Sequence, residues 1–478
     1  MTEVLPSLAG ILLFLLPGLG LTELIPPLRT LPLPRRLGYA FLLGLTAVAG
    51  SLYIGSHLFG LPLRRVEILA VAGVLAGVGL VARRLPSPGG RGGDGRGAGG
   101  EVPRWRIANF PHIATVALLA FVSLGLFADA VTNPVTGWDG RMIWSAQARS
   151  LRAAGTVDAP VLREARWFVS HPRYPLLLPV AQAAVLEMTG ADEDSHVFRA
   201  AYAMFFPALL LILWDGAVRW AGASAARLAC LAAAGSSAFT FWQDGGAASV
   251  YSDLPLGCLT GAALLLLLRS RRSVGGAVTA GIFLAGAVLS KNEGTLLAFF
   301  VPLAAVPLLL RRQDRGRQAA RWIAAVLPPL LALAFLASWR AGIPNRYDEG
   351  YTGFVTLGIF WPGAVTRIPL LAPLAVRQML SLDPWAAFWW IVPPALAVGW
   401  RGLLRGRRWL LAMTLALAAA APLAVAWGAY SVHWDPATLL RVTWTRFLLQ
   451  GSLPLLLLLT LALRDLLRRA PGLARNSH

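Results

Sequence analysis

Apolar runs long enough to cross a lipid bilayer recur along the whole of this chain. A transmembrane helix needs roughly 20 apolar residues to span about 30 Å of hydrocarbon, and Leu- and Ala-rich runs of that kind alternate with polar connections. Hydrophobic residues make up 56% of the 478 residues, whereas soluble domains contain roughly 45–50%. The sequence therefore predicts an all-α, polytopic integral membrane protein. About thirteen spans are placed at residues 4–24, 37–59, 66–82, 112–131, 198–214, 226–242, 250–268, 274–290, 294–310, 322–339, 385–400, 409–427 and 447–463, with a short or re-entrant helix at 175–189.

The arginines lie mainly in alternate connections between these runs. By the positive-inside rule such connections face the cytoplasm. The net charge of +20 is then explained by topology signals and by contacts with anionic lipids, and no nucleic-acid partner is expected. One pair, Arg64–Arg65, falls on the other side. The basic connections lie around residues 29–36, 83–106, 219–227, 269–272, 311–321, 401–408 and 464–469.

The connections predicted to face the opposite, extracytoplasmic side are of a different kind. Residues 133–197, 340–384 and 428–446 form long connections that contain many acidic, aromatic and proline residues. Irregular backbone and ionisable groups that gather at one face of a bilayer are typical of functional sites. We therefore expect the chemistry of this protein on the extracytoplasmic side.

A Gly-, Arg- and Pro-rich stretch, "PSPGGRGGDGRGAGGEVP", interrupts the apolar pattern after the third span. Such a composition has no apolar surface to bury and is typical of a linker. The sequence is thus divided into an N-terminal three-span unit (1–84), a cytoplasmic linker (85–106) and a larger transmembrane core (107–478).

The stretch "TGWDGRMIWSAQAR" follows directly after the run at 112–131 and introduces the candidate residue Asp139. The residues after it predict an amphipathic helix lying on the membrane surface. Asp139 has two explanations at this position: it caps the helix, as Asp commonly does, or its carboxylate accepts a proton at the bilayer surface. The predicted apolar face consists of Ile143, Trp144, Gln147 and Leu151, and the predicted polar face of Arg141, Ser145, Arg149 and Arg152.

Further candidate residues lie on the same predicted side of the membrane. Each has a structural explanation: an ordered loop before a helix, a helix cap, a compensating Lys–Glu pair or an interfacial arginine. Together they suit a lipid-phosphate substrate, whose tail lies between helices while Lys and Arg bind its phosphate. They are His171, Arg173 and Tyr174 in "SHPRYPLLLP", Asp244 and Asp253 in "WQDGGAASVYSDLPLG", Lys291 and Glu293 in "LSKNEGTLL", and Arg446 before the last span.

These stretches, followed by "RFLLQGSLPLLLL", resemble in their order the bacterial GT-C glycosyltransferases. That superfamily includes membrane enzymes related to the dolichyl-phosphate-mannose protein mannosyltransferases and to the sugar transferases of lipid A and lipopolysaccharide cores. The resemblance covers about residues 107–464. It implies a GT-C-like helical core of about ten spans, here preceded by about three extra spans, with amphipathic helices in the extracytoplasmic loops and a location in the bacterial cytoplasmic (inner) membrane.

The resemblance also implies an activity. An inverting enzyme of this kind moves a sugar from polyprenyl phosphate to a hydroxyl of a cell-envelope glycan, lipid or protein at the extracytoplasmic face. Asp139 occupies the position of the family's catalytic base, and Lys291 and Arg446 match the cations that hold the donor phosphate. Arg141 and Arg173 are further donor-binding candidates, and the candidates for substrate binding are His171, Tyr174, Asp244, Asp253 and Glu293.

Metal binding is not favoured by the residues around Asp139. Gly140 stands where a metal-binding Asp-x-Asp or Asp-Glu pair would continue, and the two cysteines, Cys230 and Cys258, lie inside apolar runs. We predict no resident metal and no cofactor. A hard divalent cation on Asp244, Asp253 or Glu293 remains an alternative, because carboxylate oxygens bind such ions.

Two other functions are compatible with a polytopic chain. A flippase or transporter of lipid-linked sugars predicts ionisable residues in broken helices near the middle of the bilayer, whereas the candidates here gather near span ends. A non-catalytic scaffold predicts that Asp139 and Lys291 are each dispensable.

The predicted topology can be tested by labelling single cysteines in a chain whose Cys230 and Cys258 have been replaced. A cysteine at Gly137 or Asn345 should react with a membrane-impermeant thiol reagent in intact cells, because both positions are predicted to be extracytoplasmic. A cysteine at Gly92, in the predicted cytoplasmic linker, should react only after the membrane is opened. The reverse pattern would invert the topology.

Overall fold

The computed structural model describes residues 3–84, 110–192, 195–269, 273–309, 315–345, 363, 365–406, 408–432 and 435–469. Every regular element within these ranges is a helix, so the all-α prediction is confirmed. The predicted linker at 85–106 lies outside the described residues, and the division of the chain into three parts stays a prediction.

Seventeen helices are numbered here in chain order. The first are α1 (Val4–Glu23), α2 (Leu33–Phe59), α3 (Arg65–Arg84) and α4 (Phe110–Thr132). The central ones are α5 (Ala146–Ala154), α6 (Leu177–Thr189), α7 (Arg199–Ala221, interrupted at Met204), α8 (Ala223–Ala234), α9 (Asp253–Arg269), α10 (Val274–Ser290), α11 (Asn292–Leu309) and α12 (Arg315–Ala341). The last are α13 (Ile368–Leu380), α14 (Phe388–Leu403), α15 (Arg408–Val432), α16 (Pro436–Gln450) and α17 (Ser452–Arg469). Single turns lie at Pro26–Arg29, Pro160–Arg163, Ala165–Ser170, Ser237–Phe239 and Leu382–Trp385.

Six of the described helices are long and apolar enough to cross a membrane: α1, α2, α4, α7, α12 and α15. The pair α16 and α17 makes a seventh if the two helices, bent by 61° at their junction, are taken as one broken span. Helices α6, α8, α10, α11 and α13 are apolar but shorter. The multi-pass helical character of the chain therefore agrees with the sequence analysis, whereas the count of thirteen spans and the GT-C-like core stay predictions.

Two of the predicted spans differ from the observed helices. The run at 226–242 is helical only as far as Ala234, because Ser236 and Ser237 then donate hydrogen bonds to the carbonyl of Pro384, 3.3 and 2.8 Å away. The last predicted span is divided at Gly451, since Pro454 has no N–H to donate to the carbonyl four residues earlier. Arg446 consequently lies in α16, one turn before the bend, and not in a loop.

Helix α2 ties the N-terminal helices to the rest of the bundle. It packs against α1 and α3 on one side and against α6, α7 and α10 on the other. Gly18 and Gly44 let α1 and α2 touch through their backbones, since a Cβ atom on Gly44 would lie 1.8 Å from the carbonyl oxygen of Phe14. Small residues at such crossings are typical of packing between membrane helices.

One end of the bundle collects side chains from connections that were predicted to be cytoplasmic. The buried carboxylate of Asp215, at the end of α7, pairs with Arg269 of α9 and with Arg35 at the start of α2. It also accepts a hydrogen bond from the Tyr39 hydroxyl at 3.2 Å. Groups predicted to share one face of the membrane thus meet in the fold.

Candidate functional site

Asp139 lies at the opposite end of the bundle, in a helical segment that begins soon after α4. A π-helical turn, Gly140–Ser145, leads from it into α5. The predicted apolar residues Ile143, Trp144, Gln147 and Leu151 are all buried. Ser145 was predicted on the polar face and is also buried, because a π turn has more residues per turn than an α-helix and so rotates the following side chains.

The side chain of Asp139 does not cap this helix. Its backbone is already helical (φ −63°, ψ −36°), and its carboxylate accepts no hydrogen bond from the first turn. One carboxylate oxygen, Oδ2, lies instead 2.8 Å from Nη1 of Arg446. The capping explanation is therefore wrong, and the carboxylate is held by an ion pair with α16.

Two glycines bring Asp139 against the connection between α8 and α9. A Cβ atom on Gly137 would lie 2.3 Å from the carbonyl oxygen of Gln243, and one on Gly140 would lie 2.6 Å from that of Ser249. Larger residues would push the segment away from this connection. Gly137 is therefore a poor position for a labelling cysteine, and the exposed Asn345 is the better reporter of topology.

Asp253, the first residue of α9, is the centre of the site. Its side chain is fully buried, and its carboxylate contacts Nζ of Lys291 at 2.6 Å and Nε of Arg446 at 2.9 Å. It also accepts a hydrogen bond from the amide of Gln450 at 2.8 Å. A buried carboxylate is stable only with such compensation, so Asp253 fixes both cations in place.

Lys291 lies in a one-residue break between α10 and α11, where its backbone is extended (φ −161°, ψ 153°). Its ammonium group contacts Glu293 at 3.0 Å as well as Asp253. The predicted Lys–Glu pair therefore exists, but Lys291 has a second and shorter carboxylate contact. The Oε2 atom of Glu293 is buried and has no hydrogen-bond partner among the described residues, which leaves an acceptor at the site.

The five residues Asp139, Asp253, Lys291, Glu293 and Arg446 are called the charged cluster below. In the charged cluster three carboxylates face two cations, and the three carboxylates differ in how deeply they are buried. The side chain of Asp253 has no exposed surface, whereas that of Asp139 is 21% exposed. Asp139 is thus the carboxylate of the cluster that a molecule arriving from outside meets most readily.

Tyr251 joins Asp244 to the charged cluster from the connection before α9. Its ring lies beneath the Arg446 guanidinium, 4.8 Å from centroid to Cζ. The phenol oxygen accepts a hydrogen bond from the backbone N–H of Asp139 at 3.1 Å, and the phenol donates one to the exposed Asp244 at 3.1 Å. Burial raises the pKa of the Tyr251 phenol, and the negative charge of Asp139 acts in the same direction, so this donor stays protonated.

The other predicted site residues are not part of this ion-pair network as far as the structure describes it. Arg141 is exposed beyond Asp139, while His171 and Tyr174 stack with ring centroids 4.6 Å apart. Arg173 is linked to Asn292 through Arg340. The carbonyl of Arg173 accepts a hydrogen bond at 2.9 Å from Arg340, and the Arg340 guanidinium also contacts the side chain of Asn292. Arg173 therefore borders the segment that carries Lys291 and Glu293.

The sequence analysis missed several residues that hold the site together. Gln450 is an ordinary polar residue in an apolar stretch and offers no distinct signal. Arg199 and Asp129 do offer a sequence signal, because opposite charges near the ends of two apolar runs commonly pair. They lie 2.8 Å apart, and Arg199 also donates to the carbonyl of Ala248 at 2.7 Å, which joins the end of α4 to the connection before α9.

A metal site is not evident in the part of the chain that the structure describes, where no three His, Cys, Asp or Glu side chains are grouped to hold an ion. The expectation that no metal or cofactor is used stays a prediction. Compared with known proteins, the chain matches no family model, no curated protein and no solved structure. Its function must therefore be argued from its own residues and from the motif resemblance.

The central position of Asp253 predicts a large effect on stability. Asp253→Asn removes the charge that holds Lys291 and Arg446, and loss of one partner of a buried ion pair typically costs about 3–5 kcal/mol. Glu187→Gln is the control, because Glu187 pairs with Arg152 in a partly exposed contact of a kind worth about 0–1 kcal/mol. Denaturant unfolding of both purified variants in detergent measures the difference. Equal stability of the two would show that Asp253 does not organise the site.

Proposed function

We propose that this protein is an inverting membrane glycosyltransferase, which moves a sugar from a polyprenyl-phosphate donor to an acceptor hydroxyl at the extracytoplasmic membrane face. The observation that carries the proposal is the bridge made by Arg446. One guanidinium contacts the accessible Asp139 through Nη1 and the buried Asp253 through Nε. A candidate base and a candidate phosphate-binding cation are therefore in direct contact.

The chemistry proposed for this pair transfers one proton and one glycosyl group. The acceptor O–H bond breaks and its proton passes to Asp139, while the acceptor oxygen bonds to the anomeric carbon. The bond from that carbon to the donor phosphate breaks, and the departing polyprenyl phosphate keeps the electron pair. A general base of this kind typically contributes about 10²–10⁴-fold to the rate.

The ion pair gives Arg446 a specific part in this step. Proton uptake removes the negative charge of Asp139, so Nη1 of Arg446 loses its anionic partner as negative charge grows on the phosphate. The guanidinium stays in position because Nε remains bonded to Asp253, 2.9 Å away. A cation that is already positioned at a developing anion is the usual source of electrostatic catalysis. Lys291, held by the same carboxylate, is proposed to act on the phosphate beside it.

The charges of the cluster lie at helix ends and at breaks between helices. Asp253 begins α9, Lys291 separates α10 from α11, and Arg446 lies near the end of α16. Carriers of ions or substrates also place such groups in broken helices, so the breaks at Lys291 and before α17 are compatible with both functions. The accessible carboxylate of Asp139 beside the Arg446 cation is what favours the enzyme. Charges at helix ends suit a reaction in which the lipid tail stays in the membrane and the sugar is transferred at its surface.

The base is tested by Asp139→Asn, which keeps the size of the side chain and removes the proton acceptor. Transfer from a panel of radiolabelled polyprenyl-phosphate sugars, assayed in membranes, should fall about 10²-fold or more. The control is Asp192→Asn, which removes an exposed carboxylate elsewhere in the same connection and should keep full activity. Both variants should insert into the membrane normally. Wild-type transfer by Asp139→Asn would exclude the base assignment.

The coupling between Asp139 and Arg446 is tested by a double-mutant cycle. Arg446→Lys keeps the charge, but a single ammonium cannot reproduce the planar fork that bridges Asp139 and Asp253, so transfer should fall about as far as in Asp139→Asn. Residues that act as a unit lose activity non-additively, so the double variant should be no slower than the slower single variant. Independent action would instead multiply the two losses to roughly 10⁴-fold.

A further inference from the structure

A second polar site lies at the same end of the bundle, where the N-terminal helices meet the connection after α5. A cavity of about 200 Å³ opens there between the end of α2, residues 157–163 and the end of α12. A water molecule in the liquid occupies about 30 Å³, so the space admits a ligand well above the size of water. Its charged and polar lining residues are His57, Asp158 and Arg163. The rest of the lining consists of Val157, Ala159, Leu162, Trp339, Gly342 and Ile343.

His57 and Asp158 form an oriented pair on one wall. Nδ1 of His57 lies 3.0 and 3.2 Å from the two carboxylate oxygens of Asp158. A carboxylate on Nδ1 leaves Nε2 as the remaining polar atom of the ring. Its neighbour in the structure is the Ser338 hydroxyl at 3.5 Å, a long contact that a ligand hydroxyl can replace. The Asp158 side chain is itself 34% exposed.

The walls are held by bonds that do not involve these polar groups. The backbone N–H of Val157 donates to the Ser56 hydroxyl at 3.2 Å, and the indole N–H of Trp339 donates to the Val157 carbonyl at 3.3 Å. Tyr53 packs edge-on against the Trp339 ring with centroids 5.5 Å apart. The cavity is therefore preformed, as small-molecule sites usually are.

We propose that this cavity binds one sugar ring of the acceptor, so that the acceptor is a saccharide and not a protein side chain or a simple lipid. This inference rests on the proposed function. A carboxylate, an imidazole and a guanidinium supply hydrogen-bond acceptors and donors for neighbouring hydroxyls, and the apolar wall suits the C–H face of a sugar ring. Both signs of charge line the space, and the Asp158 carboxylate disfavours a phosphate there.

The cavity is connected to the charged cluster through consecutive residues of α12. Trp339 lines the cavity, and Arg340, whose Cα follows at about 3.8 Å, contacts Asn292 between Lys291 and Glu293. Neighbouring residues of one helix thus line the cavity and contact the segment that carries Lys291, so the two sites lie at the same end of α12. The N-terminal helices acquire a role in this arrangement, because α2 supplies His57.

The test is direct binding to the purified full-length chain in lipid nanodiscs. The probes are methyl glycosides of neutral hexoses and of N-acetylhexosamines, and inorganic phosphate is the competitor. Saturation-transfer NMR measures the binding of each probe. At least one glycoside should bind saturably and resist displacement by phosphate. Asp158→Asn and Arg163→Gln should each lower the affinity for the glycoside at least ten-fold. The control is Arg166→Gln, which should bind the glycoside as the wild type does, because the Arg166 side chain is 78% exposed and pairs with Glu164.

The binding result and the transfer result separate the two proposals. Asp139→Asn should keep glycoside binding while losing transfer, which places binding and chemistry in different residues. Binding without any transfer activity in the wild type would refute the transferase and leave the sugar site. No glycoside binding, binding unchanged in both Asp158→Asn and Arg163→Gln, or phosphate bound in place of the glycoside would each overturn the saccharide site.

Discussion

The buried carboxylate of Asp253 is the interaction on which the candidate site depends. It stands at the first residue of α9 and joins Lys291, between α10 and α11, to Arg446 and Gln450 of α16. A buried ion pair is seldom a net source of stability, but removal of one partner leaves an uncompensated charge. The three segments can therefore separate only at considerable cost, and Asp253 specifies their arrangement more than it strengthens the fold.

The break between α10 and α11 follows from the same requirement. Lys291 reaches Asp253 from an extended residue between α10 and α11, and Arg446 reaches it from the last two turns of α16, just before the chain bends at Gly451. Arg446 and Gln450 are four residues apart and so share one face of α16, whereas Lys291 reaches the same carboxylate from backbone that is not helical. Non-helical backbone at the end of a membrane helix is tolerated where it lines a site.

The sequence alone was enough to identify the helical membrane class and most of the residues that come together. Asp139, Asp244, Asp253, Lys291, Glu293 and Arg446 were selected because they are ionisable groups at the ends of apolar runs. Their pairing could not be predicted, since it depends on how α9, α16 and the break at Lys291 pack against one another and on the π turn after Asp139, which are set by tertiary contacts. The assignment of Asp253 to substrate binding changes for the same reason: its carboxylate is fully buried and bonded to three side chains.

Asp139 and Asp253 contact the same arginine but are suited to different tasks because they lie at different depths. Asp253 has no exposed surface and keeps its charge by holding two cations, so it cannot exchange a proton with a substrate without loss of those contacts. Asp139 is partly exposed and has one contact with Arg446, through Nη1. In the proposed reaction it is therefore the carboxylate that takes up the acceptor proton, while the guanidinium stays anchored to Asp253 at Nε.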